Sequence, residues 1–485
     1  MSDDQLLTPG QTCWRIARAD RFAFIVDAAD YFKHVKSAML SAQHRIMLIG
    51  WDFDARMTFE RGAKSLPGPN RLGAFLYWMV RSRPTLEVYL LKSNLRLLPA
   101  FDGIWFGLTP VTLLNQISSR RLRFAVDGAH PIGAVHHQKI VVIDDVVAFC
   151  GGLDLTVDRW DTRAHQHDSR ARRSVGRRYG PRHEVAAAVD GAAARALGEQ
   201  ARDRWHTATD QSVAAVEAQH DSWPRNLEPT LHDVDIGIAR TLPELEDRPE
   251  VREVEALNLA AVAAARKTIY WENQYLAARR LVDALAARLR EEDGPEVVIV
   301  LARKGNNPLE RQTMDSARHR LIQVLWAADV HGRLGVYWPA TDGGASIYVH
   351  SKVLVIDDRL IRVGSSNLNN RSMGFDSECD VAIEVNSDSS EDADLRRQIT
   401  DMRNQLVSEH LGVSVGELET ALHQHRSLLT TIEALRGQGK TLRPVTEQTV
   451  ADEAGPLAEN DLLDPDHVPK SLARSVRRFI AGPRS

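Results

Sequence analysis

The sequence predicts an α/β protein made of two duplicated α/β sandwich domains, each carrying one copy of a half-site. Three observations carry this: short β-branched runs alternate with helix-length segments, the same order of elements occurs twice, and one spaced polar motif recurs in each copy.

In the first copy a strand-like run at 45–53 (RIMLIGWDF) leads to a helical stretch at 72–80 and a strand at 86–91 (LEVYLL). A helix-length segment, a strand near 122–126 and two strands within HHQKIVVIDD and VVAFCGGLDL complete it. The second copy repeats the order: IYWENQ at 269–274, a helix near 280–291, EVVIVL at 296–301, a helix around 310–327, a strand at 334–338, then HSKVLVIDD and LIRVGSSNL. Short runs that are apolar throughout predict strands buried in a sheet.

Between the copies, residues 163–182 hold seven arginines and one acidic residue, Asp168, and read as a long surface loop, either a solvated charge cluster or a contact for phosphate or an anionic surface. Residues 185–205 read as helix and 227–250 as an acidic, Pro-containing connector. Residues 392–409 read as a helix, followed by a less regular helical region. Residues 451–469 read as a flexible acidic tail, and the basic KSLARSVRRFIAGPRS as a docked terminal helix. The expected division is 1–220 for the first half (motif at 137–152), 221–250 for the connector, 251–435 for the second half (motif at 350–365) and 436–485 for a C-terminal tail.

Composition narrows the class. The 485 residues are 43% hydrophobic and 26% charged, as in globular proteins, and their net charge of −4 provides no global basic field for nucleic acid. No apolar run reaches the roughly 18–20 residues of a membrane span, and MSDDQLLTPG is unlike a signal peptide. The expected location is cytoplasmic or peripheral at a membrane, with secretion lacking a conventional signal as the alternative. Three cysteines, Cys13, Cys150 and Cys379, give neither a disulfide framework nor metal-ligand spacing, and Cys150 and Cys379 are expected to be inert packing. His165 and His167 fit a solvated loop better than a metal pair. Trp160 fits the core as well as a substrate pocket, and residues 104–114 fit buried packing better than an interfacial loop.

The chemistry sits in His-x-Lys-x4-Asp-x6-Gly-(Gly/Ser), found as His137, Lys139, Asp144, Gly151, Gly152 and again, 213 positions on, as His350, Lys352, Asp357, Gly364, Ser365. Only ten of the 61 basic residues are Lys, so a Lys two places after each His is informative. His34 and Lys36 share that spacing, but Ser41 replaces the Asp and no Gly pair follows; these read as surface decoration. Residues two apart in a strand share a face, so each copy presents imidazole and ammonium together at the mouth of a buried strand. The Gly pair allows close strand approach or backbone donation to an anion. Two facing half-sites suit a tetrahedral phosphate: one neutral imidazole attacks phosphorus, the other, protonated, serves the leaving oxygen, and the lysines hold the charge without any metal. The two imidazoles are expected to have pKa values pushed apart. Symmetry alone does not say which His is which.

These motifs, with GGLDLTVDRWDT at 151–162, GSSNLNNRSMGFDSE at 364–378, Pro181-Arg182-His183-Glu184 and Glu272-Asn273-Gln274-Tyr275, resemble the phospholipase D superfamily, in particular its true phospholipase D branch of bacterial type. The resemblance spans roughly residues 46–385 and implies one site at the seam of a pseudo-twofold monomer, working by a metal-independent two-step exchange at phosphorus. It implies His137 as nucleophile, His350 as general acid, Lys139 and Lys352 as phosphate-binding, and Asn367 as a phosphate contact; Asp154 is the equivalent of Asn367. Ser365 and Gly152 belong to the binding motif, and Glu378 and Asp161 match the residues that orient the imidazoles. Asp144 and Asp357 complete the catalytic motif but lie at the far strand ends, where structural pairing fits best. With about 45 residues ahead of the first strand-like run, accessory lipid-binding modules are not expected. Neither cofactor nor metal is expected, nor a nucleic-acid partner; the expected partner is phospholipid at a membrane surface. Phospholipase D activity leads, followed by a cardiolipin synthase-like phosphatidyltransferase, a superfamily nuclease and a non-catalytic membrane scaffold.

Overall fold

Successive residues of a strand point to opposite faces, so runs such as RIMLIG and EVVIVL need a sheet covered on both sides. A computed structural model describes residues 5–94, 119–174, 176–218, 220–305, 314–385, 390–451 and 464–465, with short pieces at 104–105, 109–110 and 115. In it the first copy contributes β1 (Arg15–Val26), β2 (Arg45–Gly50), β3 (Glu87–Ser93), β4 (Leu122–Asp127), β5 (Ile140–Ile143), β6 (Val147–Gly151) and β7 (Val185–Asp190). The second contributes β8 (Leu231–Leu242), β9 (Thr268–Asn273), β10 (Glu296–Leu301), β11 (Leu334–Ala340), β12 (Val353–Ile356), β13 (Leu360–Gly364) and β14 (Glu378–Glu384), and β15 (Thr441–Pro444) adds an edge. All join one sheet in the order β15-β11-β10-β9-β12-β13-β14-β8-β1-β7-β6-β5-β2-β3-β4.

Outward from the central antiparallel β1/β8 pair, the halves match strand for strand. Pairing is antiparallel as far as β2 and β9 and parallel beyond them, until β15 closes the second half antiparallel to β11. Helices α1 (Ala28–Ser41), α2 (Leu72–Ser82) and α3 (Gly191–Thr209) correspond in order to α4 (Glu253–Ala264), α5 (Arg279–Arg290) and α7 (Ser390–Leu411), while α6 (Ser316–Ala328) lies between β10 and β11. One sheet face carries a core continuous across both halves, with α3 and α7 on it. The other face carries separate cores under α1 and α2, and under α4, α5 and α6. Alternation assigns the strand residues: Ile269 and Trp271 feed one core and Tyr270 the other.

Several expectations change. The two seam strands, β1 and β8, fall where the sequence reads no element and an acidic connector. Their outer ends alternate arginine or aspartate with small apolar residues, and only pairing with each other buries one face. Residues 185–205 are not one helix: Val185–Asp190 is a strand squeezed against β6, and the helix starts at Gly191, whose φ of 63° turns the chain. Lys36 is not surface decoration; it is fully buried in α1, 3.2 Å from Glu60. The 436–485 segment supplies strand β15, while most of its tail and terminal helix, like most of 104–114 and the start of the 310–327 helix, lie outside the described residues. Among the described residues no helix is long and apolar enough to cross a membrane.

The motif glycines are explained by close approach. A Cβ on Gly151 would lie 2.6 Å from Ala186 Cα, and one on Gly364 2.5 Å from Asp380 Cα. Gly364→Ala is therefore expected to lower unfolding stability by about 3 kcal/mol in a denaturant titration, because backbone must move to admit the methyl.

Candidate active site at the seam

Both motifs end in a buried strand, β5 or β12, which brings His137 and His350 to the same end of the sheet, one from each half. The His137 N–H donates to the Ser377 carbonyl at 3.0 Å and the His350 N–H to the His183 carbonyl at 2.9 Å, so each motif is tied to the opposite half through its backbone. The side chains repeat the exchange. His137 Nδ1 lies 3.0 Å from both Glu378 oxygens, and His350 Nδ1 lies 2.8 Å from Glu184 Oε2. Glu378 and Glu184 are equivalent positions: each stands two residues before the residue opposite a motif glycine, Asp380 facing Gly364 and Ala186 facing Gly151. Carboxylates at both Nδ1 atoms leave Nε2 of each ring for chemistry.

The lysines are held just as symmetrically. Lys139 Nζ donates to the His137 carbonyl at 2.8 Å, and Lys352 Nζ to the His350 carbonyl at 2.7 Å and to Gln274 Oε1 at 3.3 Å. Burial, then the charges of both Lys139 and Lys352, push the His137 imidazole well below the ordinary histidine value. Burial and then Lys352, Arg182, Arg159 and Lys139 do the same to His350. Each ring responds to both lysines, so the half-sites share one electrostatic field. Burial also lowers Lys352 to about 7 and raises Glu378 to about 8, the latter against Lys139 and the Ser365 and Ser372 hydroxyls; Glu184 is raised by burial too. Where one ring was expected neutral and the other charged, both are pushed toward neutrality, because both are buried and two ammonium groups face them. A bound phosphodiester anion offsets that field and favours proton uptake.

Other anticipated residues fall in varied places. Ser365 Oγ donates to Glu378, and a Cβ on Gly152 would lie 3.0 Å from the His350 carbonyl. Asp154 is spent on Lys139 (3.4 Å) and on the Trp51 and Asp52 N–H groups, whereas Asn367 keeps a buried Oδ1 without a hydrogen-bond partner. Asp144 and Asp357 stand away from the two rings. Each stands in left-handed backbone (φ 50° and 53°) beyond the far end of its strand and accepts three backbone N–H bonds, from Gln43, His44 and Arg45 or from Arg266, Lys267 and Thr268. Asp161 is also displaced from its expected role. Its oxygens take His165, Arg172 and the Arg182 N–H, and the carboxylate on His350 is Glu184. The signal for Glu184 lay in Pro181-Arg182-His183-Glu184, four residues that matched the motif while their equivalence to Glu378 waited on strand pairing. Tyr348 was missed altogether: its ring stacks near His350 (centroids 6.3 Å, 26°), it accepts from Gln274 Nε2 at 2.8 Å, and the Arg182 guanidinium lies 4.6 Å from its centroid.

Residues 163–182 are not simply a solvated loop. His165 is fully buried, and only His167 is exposed. Asp27, His165, His183 and Glu409, all buried, bring one ligand atom each within 4.8 Å of one another, a donor set that suits a divalent cation. Asp27 Oδ2 lies 3.3 Å from His165 Nε2, and each ring nitrogen of His165 and His183 faces a carboxylate, so the four segments are already cross-linked by histidine–carboxylate pairs. These ligands come from separate segments, which is why spacing did not reveal them. Cys13, Cys150 and Cys379 are buried and free, as packing residues, and Trp160 packs against the first-half core.

Comparison with known proteins bears on the family and the fold. A family profile described as cardiolipin synthase, PLD-like domain, matches residues 259–399. Phospholipase D A of Dictyostelium discoideum is 24% identical over 459 residues, covering 80% of this chain and 35% of that one; phospholipase D alpha 4 of Arabidopsis thaliana is 23% identical, covering 87% and 68%. The chain thus spans about a third of the Dictyostelium protein. The solved structure of a phosphatidylserine synthase from Haemophilus influenzae shares the fold, with TM-score 0.52 at 13% identity over 87% of this chain and 97% of that one. Together these matches support the phospholipase D superfamily for this chain.

An ordinary imidazole is mostly protonated at about pH 6. Both His137 and His350 are expected to remain neutral there in a ¹H–¹⁵N spectrum of the free protein, and added inorganic phosphate is expected to shift them toward protonation.

Proposed function

We propose that this protein is a phosphodiesterase of the phospholipase D type, which converts glycerophospholipids to phosphatidate and the free headgroup alcohol and can pass the phosphatidyl group to other alcohols. The observation that carries the reading is the pair of exchanged His–Glu couples within the field of two buried lysines. His137 Nε2 attacks phosphorus as the bond to the headgroup oxygen breaks, and His350 gives that oxygen its proton. In the second step water or an alcohol gives a proton to His350 and attacks phosphorus, the P–N bond breaks, and phosphatidate or a new phosphodiester leaves. Lys139 and Lys352 hold the equatorial oxygens in both steps, with Asn367 as a further contact. Glu378 keeps Nδ1 of the nucleophile occupied, and Glu184 stabilises the imidazolium that His350 must carry. A phosphatidyltransferase acting on a second lipid is the alternative; it uses the same atoms with a different second-step acceptor, and the cardiolipin synthase profile over 259–399 favours keeping it in the test.

Mixed phospholipid vesicles with trace ethanol are expected to yield phosphatidate and phosphatidylethanol, while cardiolipin from phosphatidylglycerol marks the transferase and nicked plasmid the nuclease. His137→Ala is expected to abolish turnover with folding retained, and near-normal turnover by this variant would contradict the assignment. Glu184→Gln and Glu378→Gln are each expected to lower kcat by about 10²–10⁴-fold with little change in the melting profile.

Dependence on pH follows from the same groups. Lys352 must be charged to hold phosphate, and in the free protein it loses its proton as pH rises through about 7. The expected kcat/KM therefore falls as pH rises, first with loss of the His350 proton and further above about pH 7 with that of Lys352, and Lys352→Arg, whose charge does not titrate, removes the second of these declines even if its rate is lower.

A further inference from the structure

The arginine-rich segment is the part of the molecule that the phosphorus chemistry leaves unused. Arg173–Ser174 and Arg177–Arg178 pair as a small antiparallel hairpin. The base of this segment is built from inside: Arg172 is buried, 3.1 Å from Asp161, and donates to the Gln166 and His167 carbonyls at 2.6 and 2.9 Å, while the Tyr179 hydroxyl donates to the Trp160 carbonyl at 2.9 Å. Against this fixed base Arg170, Arg173, Arg177 and Arg178 are exposed. The single acidic residue of the segment, Asp168, pairs with Arg178 at 2.9 Å, and the other three arginines have no carboxylate partner among the described residues. Three cations on a surface hairpin and a fourth, Arg170, just ahead of it form a local field with a direction in a chain of net charge −4.

The hairpin also lies beside the site. Arg182–His183 pairs with Tyr348–Val349, which leads straight into His350, and Arg178 is four residues from Arg182, roughly 14 Å of fully extended chain at most. On the His137 side, Ile132 is 44% exposed in the loop five residues ahead of the catalytic ring, where the neighbouring Gly133 carbonyl accepts from Arg371 at 2.7 Å. We propose that this hairpin, with Ile132 as an apolar contact, is the surface by which the protein docks on an anionic phospholipid bilayer, with the seam facing the headgroups. The inference rests on the lipid-directed reading of the site and names the partner that presents its substrate. Exposed guanidinium forks pair with lipid phosphates, and an exposed isoleucine enters the acyl boundary. A nucleic-acid duplex is disfavoured, because the patch is a few residues wide and offers that partner no use for the isoleucine.

The test uses the full chain. In a His137→Ala background, which leaves vesicles intact, combining Arg170→Gln, Arg173→Gln and Arg177→Gln is expected to lower partitioning onto equimolar phosphatidylcholine and phosphatidylglycerol vesicles by about 10²-fold at low salt. Added salt is expected to bring the parent to the same level, and binding to pure phosphatidylcholine to stay equally weak in both. With His137 intact, the triple variant is expected to hydrolyse a monomeric short-chain phospholipid at the parental rate yet turn over anionic vesicles poorly. Parental vesicle binding by the triple variant overturns the proposal, as does loss of plasmid DNA binding with vesicle binding retained. A parent that docks in this way but turns over no phospholipid supports the docking surface and removes the functional reading.

Discussion

Each catalytic-motif histidine is held by a carboxylate from the other half: His137 by Glu378 and His350 by Glu184. Neither half can position its own imidazole. A buried ring without a partner is free to adopt either tautomer and several orientations, whereas a carboxylate on Nδ1 selects one of each. The exchange also explains why the central strands pair in one register. A one-residue slip of β1 against β8 would turn every buried side chain of those strands outward, and the Glu–His distances of both couples depend on the halves meeting as they do.

That dependence has an energetic counterpart. Two lysines, two glutamates and two imidazoles are withdrawn from water, at a cost that pairing only partly offsets. The result is a set of groups displaced from their ordinary protonation: imidazoles too low, Lys352 near 7 and Glu378 near 8. A site in this condition is poised for an anion, because a single negative charge between the lysines favours the protonated forms of Lys352 and both imidazoles at once. The cost is supported by apolar cores on both faces of the sheet, one of them continuous across the seam, so the halves are joined by packing as well as by polar exchange.

The duplication is close but not perfect, and the departures have physical content. In the second half the residue opposite the motif glycine is Asp380, which takes the Ser365 and Ser366 N–H groups and pairs with the fully buried Arg362. In the first half Ala186 occupies that position and packs directly on Gly151. Asp154 closes on Lys139 while Asn367 leaves its oxygen unpartnered. The extra length before β7 holds the arginine-rich hairpin, which has no counterpart in the shorter connection from β13 to β14. Two copies of one half-site have thus diverged in their surroundings while the pair of rings and lysines kept its symmetry.

The sequence by itself determined the duplication, the outer strands of each half and both His-x-Lys pairs, since these are written in local spacing and in runs apolar enough to read one strand at a time. The far-end role of Asp144 and Asp357 was also legible, because a residue beyond a buried strand cannot reach its mouth. Tertiary structure decided the rest. β1 and β8 read as loop or connector because their polar alternation gains meaning only when each covers the other, and residues 185–190 read as helix because small apolar residues fit a helix as well as a crowded strand. Glu184 rather than Asp161 became the partner of His350, and His165 became buried, because those outcomes depend on which segments the sheet order sets side by side, a long-range fact that no spacing along the chain encodes.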